Sequence, residues 1–306
     1  MTHLDGKAVV ITGSGGGIGA AYAFHLAARG VRVVVNDISQ ELIDQQVTRI
    51  AEAGGSAIGF LGDVSKADDA EALIDECISR FGSIDGLVNN AAITFVAPAT
   101  TLDEAFNKKL MEINVLGSIN CGVHAIRHML AQGHGSIVNV TSGAHMGLTN
   151  TAVYGASKGA IAALTYDWSA DLAGTGVRVN AVSPMAGTDM ITEALKARNL
   201  VGDQLQQELA TFPTPEANAP VVSYLISDRS NHLNGQIVRI DGSHLSIVGR
   251  PAILQPVMTQ PQWTDDLVAN AFDQKLSAMA MPTGILQLEG EYRFAPVSDY
   301  RIQFED

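Results

Sequence analysis

The chain has 306 residues, of which 46% are hydrophobic and 17% charged, enough to bury a core in one large domain or two small ones. Its formal net charge of −13 opposes binding to nucleic acid or an anionic membrane, since both want basic patches. No N-terminal signal pattern and no apolar run near ~18 residues are present, so neither secretion nor a membrane span is expected, and a cytoplasmic location is. Lys7–Thr12 reads as a short buried strand. Gly13-Ser14-Gly15-Gly16-Gly17-Ile18-Gly19 follows at once, and Ala20–Arg29 is then predicted as an apolar-faced helix closed by Gly30. This is either a tight βα turn or a turn that brings backbone N–H groups and a helix N-terminus to a pyrophosphate, where a Cβ would hold the ligand off. The strand context favours phosphate binding, with Gly13, Ser14, Gly17, Ile18 and Gly19 as the binding residues.

The second strand, Val31–Val35, ends in Asn36-Asp37. Asp37 lies ~20 residues past the glycine turn, where a carboxylate accepts hydrogen bonds from an adenosine ribose and repels a 2′-phosphate. The glycine turn also lacks Arg or Lys. Both points favour NAD over NADP; the alternative is that Asp37 caps the helix starting near Ser39. Alternation then continues: helix Gln40–Ala53, strand Ala57–Leu61, helix Lys66–Phe81, strand Gly86–Asn89, helices Leu102–Asn114 and Val115–Ala131, and strand Ser136–Thr141. Cys77 and Cys121 fall in these helices and read as small buried apolar residues, not a disulfide. Beyond a helix over Ala152–Leu164 come strand Val177–Val182, a polar, helix-prone insert over Asp189–Thr211, helix Glu216–Ile226 and a closing strand Gln236–Ile240. Alternating βα units predict an α/β, Rossmann-like, doubly wound parallel sheet with helices on both faces. Ligands gather at the carboxyl ends of such strands, where Asp37, Asn90, Ser142 and Pro184 all fall.

Within Ala152–Leu164, Tyr154 and Lys158 share one helix face. A free phenol with pKa near ~10 is a poor base at neutral pH; a neighbouring cation lowers that value. Bringing it to about 7 takes roughly three units, on the order of 4 kcal/mol. Ser142 ends a strand with its hydroxyl placed to bond a substrate oxygen, and Tyr154 takes the alcohol proton in oxidation or returns it in reduction. Thr188, after Pro184, is a candidate partner for a nicotinamide carboxamide.

Thr12-Gly13-x-x-x-Gly17-x-Gly19, Asn89-Asn90-Ala91, Asn114, Ser142 and Tyr154-x-x-x-Lys158, in that order from about Lys7 to Ser243, resemble the short-chain dehydrogenase/reductase family. Ala92 and Met185 depart from it, since the family usually has glycine at both places. The resemblance implies an NAD-dependent enzyme in which Lys158 also holds the nicotinamide ribose, and Asn114 anchors a water linking Lys158 to solvent. It places Asp63 and Val64 against the adenine, Asn90 and Ala91 beside the cofactor, and implies a dimer or homotetramer acting on a small molecule, without a metal. A non-catalytic NAD(H)-binding scaffold or redox sensor has no physical need of Asn114, Ser142, Tyr154 and Lys158 together.

The expected substrate lining is Thr94, Phe95, His145, Met146, Met185, Met190 and Ile191, bulky and adaptable. Residues 1–244 are expected to form the NAD-binding domain and residues 245–306 a C-terminal extension, either a subunit-contact arm or a substrate lid. In the extension Thr264 is a candidate N-cap for a helix to about Met279, ended by Pro282 and Gly284. Acidic sequence follows from Gln287, with Arg293 and Arg301 the last cations. Pro184-x-Ala186-x-Thr188-x-Met190 and Trp263–Met279 are similar to the (3R)-hydroxyacyl-CoA dehydrogenase part of the peroxisomal multifunctional enzyme. That implies a 3-hydroxyacyl-CoA or another bulky secondary alcohol, but the Arg-Asp pair common in those relatives is replaced by Thr94-Phe95, which keeps a hydroxysteroid or cyclic alcohol in view.

Overall fold

The computed structural model describes residues 4–196, 200–254, 257–286 and 288. The apolar run after Lys7 forms β1 (Ala8–Ile11), buried at all four positions. A strand covered on both faces has no solvent side, so its apolar residues run on without alternating. Val9 and Ile11 face one core and Ala8 and Val10 the other. The chain then alternates through α1 (Gly17–Ala27), β2 (Arg32–Asp37), α2 (Gln40–Glu52), β3 (Ser56–Leu61), α3 (Ala67–Phe81) and β4 (Gly86–Asn89). Next come α4 (Glu104–Met111), α5 (Gly117–Gln132), β5 (Gly135–Val140), α6 (Ala152–Asp171) and β6 (Val177–Met185). The helices α7 (Asp189–Lys196), α8 (Gly202–Leu209) and α9 (Ala219–Ile226) precede β7 (Ile237–Asp241) and β8 (His244–Val248), and α10 (Asp265–Gln274) lies in the extension.

The sheet order is β3-β2-β1-β4-β5-β6-β7-β8. The first seven strands are parallel, and the order reverses between β1 and β4, which opens a crevice at their carboxyl ends. Helices α1, α2 and α9 cover one face of the sheet; α3, α5 and α6 cover the other. Cys77 and Cys121 are free and buried in that second layer, and burial pushes each thiol up to about 12.

Several elements differ from the sequence expectation. The helices expected at Leu102–Asn114 and Val115–Ala131 form one rod from Glu104 to Gln132, interrupted by a π-helical turn over Glu112–Leu116. Helix α6 runs to Asp171, and β6 extends through Pro184 to Met185. The sheet is not closed by β7, because β8 adds an antiparallel edge in which Leu245 faces Ile240. The extension thus begins as part of the sheet. Thr264 caps α10 as expected, its hydroxyl accepting from Leu267 N at 3.3 Å. The helix ends at Gln274 because Lys275 leaves helical geometry (φ −146°, ψ −50°), and a 3-10 turn over Leu276–Met279 follows. Apart from Leu288, the acidic stretch from Gln287, with Arg293 and Arg301, lies outside the described residues. Among those described, no helix is long and apolar enough to cross a membrane.

Candidate active site

The glycine turn joins β1 to α1. Gly13 and Gly17 are left-handed (φ +59° and +55°), which favours residues without a Cβ. A Cβ on Gly19 would lie 2.4 Å from the Gly13 carbonyl oxygen and 2.5 Å from Asn90 Nδ2, whereas at Gly16 or Gly17 it would meet nothing within 4 Å. No side chain caps α1, so N–H groups at its start are open to an anion. A cavity of about 410 Å³ lies there, lined by Gly15, Gly16, Gly17 and, across it, Thr188 and Glu216. The turn therefore fits a dinucleotide pyrophosphate.

Two neighbours hold this turn. Thr12 Oγ1 accepts from the backbone N–H groups of Asn90 (2.9 Å) and Ala91 (3.0 Å). Asn90 Nδ2 donates to the carbonyls of Thr12 and Gly13, both at 2.9 Å. Asn90 thus ties β4 to the turn, and Ala91 packs so closely that a Cβ on Gly13 would come within 2.8 Å of its Cα. Ser14 is turned into the protein. It is fully buried, its hydroxyl donates to the Ile11 carbonyl at 2.7 Å and its N–H to the Asn36 carbonyl at 2.8 Å. It frames the turn and leaves no side-chain surface for a ligand.

Asp37, at the end of β2, accepts from Gly15 N (3.1 Å) through Oδ2 and from Ile38 N (2.8 Å) and Ser39 N (3.2 Å) through Oδ1. It caps the turn before α2, and three backbone donors fix a carboxylate beside the glycine turn. Asp63 Oδ1 accepts from Ser65, and the Val64 carbonyl accepts from Asn120 Nδ2 at 3.0 Å. Gly117 lets Val64 approach α5, since a Cβ there would lie 2.7 Å from Val64 Cγ2.

The proton-handling residues converge at the end of β5. Ser142 accepts from Ala144 N at 3.2 Å, capping a 3-10 turn over Gly143–Met146. Burial pushes the Tyr154 phenol up, while a hydrogen bond with the Ser142 hydroxyl pulls it down. Lys158 is 3% exposed; its ammonium donates to the Val140 carbonyl at 2.8 Å and sits 5.8 Å from the centre of the Tyr154 ring. Burial brings Lys158 down to about 8. Lysine was expected to lower the phenol, yet in the chain by itself burial outweighs every opposing influence on Tyr154. The amine is aimed at a carbonyl, and its own charge is weakened by the same desolvation.

Asn114, in the π-helical turn, clamps the segment after β4. Its Oδ1 accepts from Ile93 N (2.8 Å) and its Nδ2 donates to the Ile93 carbonyl (2.9 Å) and to Ser157 Oγ (3.1 Å). Ser157 in turn donates to the Tyr154 carbonyl at 2.7 Å. A second buried polar chain runs from Asn89 to Asn139 (2.9 Å) and on to Thr165 (3.0 Å), tying β4 and β5 to α6. The sequence reading missed Thr12 as a clamp, Ser157, and the Asn89–Asn139–Thr165 chain. A serine between Tyr154 and Lys158 was a visible signal; the Asn pair shows only once strand register places Asn89 opposite Asn139.

Pro184 lies one residue before the end of β6, and the Met185 carbonyl accepts from Asn218 Nδ2 at 3.0 Å. The Thr188 hydroxyl accepts from Ile191 N at 3.4 Å, starting α7. Thr94, Met146, Met185, Met190 and Ile191 are half-buried, with partial freedom to meet a ligand. Phe95 is half-buried as well, its ring packed on Phe106 at 5.0 Å between centroids. His145 is lowered, chiefly by burial, and its Nδ1 donates to the Ser142 carbonyl, so this imidazole closes the turn. Among the described residues no cluster of His, Cys, Asp or Glu is arranged for a metal.

Comparison with known proteins agrees with this geometry. Residues 7–199 match the family model described as short chain dehydrogenase. The chain is 37% identical over 244 residues to a cis-4-hydroxycyclohexanecarboxylate dehydrogenase of Sinomonas cyclohexanicum, covering 79% of this chain and 97% of that protein. The crystal structure of a short chain dehydrogenase from Mycobacterium avium superposes with a TM-score of 0.79 at 27% identity, over 92% of this chain and 98% of that one. An NAD+-bound xylitol dehydrogenase gives a TM-score of 0.73 at 31% identity, over 78% of this chain and 99% of the other. The chain therefore belongs to the short-chain dehydrogenase family and is an oxidoreductase acting on CH–OH groups.

Proposed function

We propose that the protein is an NAD(H)-dependent dehydrogenase that interconverts a bulky secondary alcohol and its ketone. One observation carries this reading: the Ser142 hydroxyl acts on the Tyr154 phenol beyond the carboxyl end of β5, and the Lys158 amine, bonded to the Val140 carbonyl, lies 5.8 Å from the centre of the Tyr154 ring. The open glycine turn, Asp37, Asp63, Val64, Asn90, Ala91, Pro184 and Thr188 would hold the dinucleotide, which when bound supplies the hydride-carrying ring. Ser142 donates to the substrate oxygen and orients it. Tyr154 moves the proton at that oxygen. Lys158 carries positive charge to the site, and Asn114 fixes the backbone beside Ser157 and hence the register of α6. The anchored Asp37 carboxylate supports NAD over NADP, because a 2′-phosphate would bring like charge against it. A cyclic alcohol is favoured by the likeness to a hydroxycyclohexanecarboxylate dehydrogenase. The 3-hydroxyacyl-CoA alternative rests on the Pro184–Met190 and Trp263–Met279 segments alone. Buried, unpaired thiols support a cytoplasmic location.

The test mixes the chain with NAD or NADP and a panel of cyclic, steroid and acyl-CoA secondary alcohols, following absorbance of the reduced cofactor. NAD is expected to support turnover, and Tyr154→Phe to lose roughly 10²–10⁴ of it, the usual worth of a general acid–base. Asp37→Ala is expected to erode the preference for NAD. Tight NADH binding with no turnover of any alcohol or ketone would replace the dehydrogenase by a cofactor-binding scaffold. A wild type that prefers NADP, unchanged in Asp37→Ala, would refute the reading of the carboxylate.

A further inference from the structure

The extension returns to the catalytic turn. After α10 and its 3-10 turn, Gly284 takes a left-handed conformation (φ +98°) and lies against Gly147, itself at φ +106°. A Cβ on Gly147 would approach Gly284 Cα to 3.3 Å. One residue on, Ile285 Cδ1 would lie 3.8 Å from a Cβ on Gly143, on the side where Arg239 Nη1 would lie at 3.0 Å. Gly143 and Gly147 bracket the turn that Ser142 caps, and Met146 lies inside it. The start of the extension is fastened to the main domain, since Arg250 donates twice to the Gly235 carbonyl (3.0 and 2.7 Å) and stacks on Tyr166 of α6 at 4.9 Å. The hydroxycyclohexanecarboxylate dehydrogenase spends 97% of its length on 79% of this chain, so it has no counterpart to most of the remainder. The Mycobacterium avium structure, matched over 92% of this chain, does reach into it.

We infer that Gly284 and Ile285 are part of the substrate site, forming a wall that seats the Ser142–Met146 turn and selects for bulky, apolar secondary alcohols. The inference rests on the dehydrogenase reading above and deepens it. A contact confined to that turn acts on the substrate and spares the cofactor, because the glycine turn and Asp37 lie at other strand ends. Ile285 is 42% exposed, so replacing it removes little core packing. An apolar wall interacts with a ring and hardly with a two- or three-carbon alcohol, whose transferable area is small.

The test is Ile285→Asp in the full chain, with Ile285→Val as the conservative partner. Two readouts are taken: backbone hydrogen exchange over residues 143–148, and KM and kcat for a substituted cyclohexanol against 2-propanol, with the NADH Kd alongside. The expected result is faster exchange over 143–148 and a KM for the cyclohexanol raised about tenfold, equivalent to about 1.4 kcal/mol. The 2-propanol KM is expected to rise several-fold less than the cyclohexanol KM, the NADH Kd to stay within about twofold, and Ile285→Val to behave as wild type. Unchanged exchange over 143–148 would show that the tail does not seat the turn. Faster exchange with both alcohols affected alike would make the contact a structural brace and overturn the wall. Wild-type protein that binds NADH but oxidises no alcohol of the cyclic, steroid and acyl-CoA panel would fail the dehydrogenase reading itself, and this inference with it.

Discussion

At the scale of single residues, the site is governed by the cost of burying charge. Tyr154 and Lys158 are both shifted toward their neutral forms by desolvation, and of the two only the phenol has a side-chain partner that opposes the shift, Ser142. Removing that partner raises the phenol further. Ser142→Ala is therefore expected to cost roughly 10²–10³ in kcat, the usual loss for one donor at a reacting oxygen. It should also move the rising limb of the oxidation pH profile to higher pH. An unmoved limb would show that Ser142 does not act on the phenol. Lys158 gives a stability prediction. Its folded value, about 8, is below its ordinary 10.5, so the buried ammonium destabilises the fold on the order of 3 kcal/mol below about pH 8. That penalty fades as pH rises toward 10.5. Lys158→Met removes it, and also a charge-assisted bond to Val140 of about 1.5–3 kcal/mol. Melting curves from pH 6 to 10 should show the variant gaining most over wild type at the acid end and losing that advantage by pH 10. A difference independent of pH would contradict the buried-ammonium account. Tyr154 and Lys158 were legible in sequence because four-residue spacing suffices to pair them; the direction of the phenol's shift was not, because burial is a property of the whole packing.

At the scale of elements, the glycine turn separates two duties that the sequence alone runs together. Gly19 is small because backbone and Asn90 press on it, and Gly16 because the space beside it is open. Gly19→Ala is expected to destabilise by about 1–3 kcal/mol through overpacking, while Gly16→Ala should stay within about 0.5 kcal/mol; chemical denaturation of the pair decides it. Equal losses would mean that the turn fails for a reason other than crowding. Strands β1 to β7 and their helices were readable because apolar runs of four to six residues between glycine or Asn/Asp stops have few other homes. The π-helical turn at Asn114 was not. It inserts one residue into a helix without leaving it, so periodicity shifts phase but no stop signal appears. Likewise β8 carries exposed residues at four of its five positions, and such a run gives no burial pattern to read.

At the scale of the whole molecule, the parallel sheet gathers residues 12 to 188 at one edge, which is why motifs scattered over more than half the chain form one site. The opposite tendency is visible on the outside. Leu102 stands exposed just before the α4–α5 rod, Met111, Leu116 and Leu130 on it, and Leu245 and Ile247 on the β8 edge, and an edge that no described strand pairs, with apolar side chains, is a natural seat for a second copy. We expect the chain, 32.2 kDa, to sediment as a dimer or tetramer at micromolar concentration. A monomer under those conditions would require another explanation for these surfaces. The resemblance carried by ordered motifs raises the expectation of subunit association; composition could not, because a net charge of −13 says nothing about where the uncharged surface lies.

The two cysteines have a practical consequence. With both thiols enclosed between α3, α5 and the sheet and held near 12, a maleimide or similar reagent finds almost no thiolate in the native protein. Labelling must wait for that layer to part, so its rate at fixed pH counts how often the molecule opens. The wild-type chain thus carries its own gauge of local unfolding, and each substitution described above can be ranked on it without a dye, a tag or an added residue.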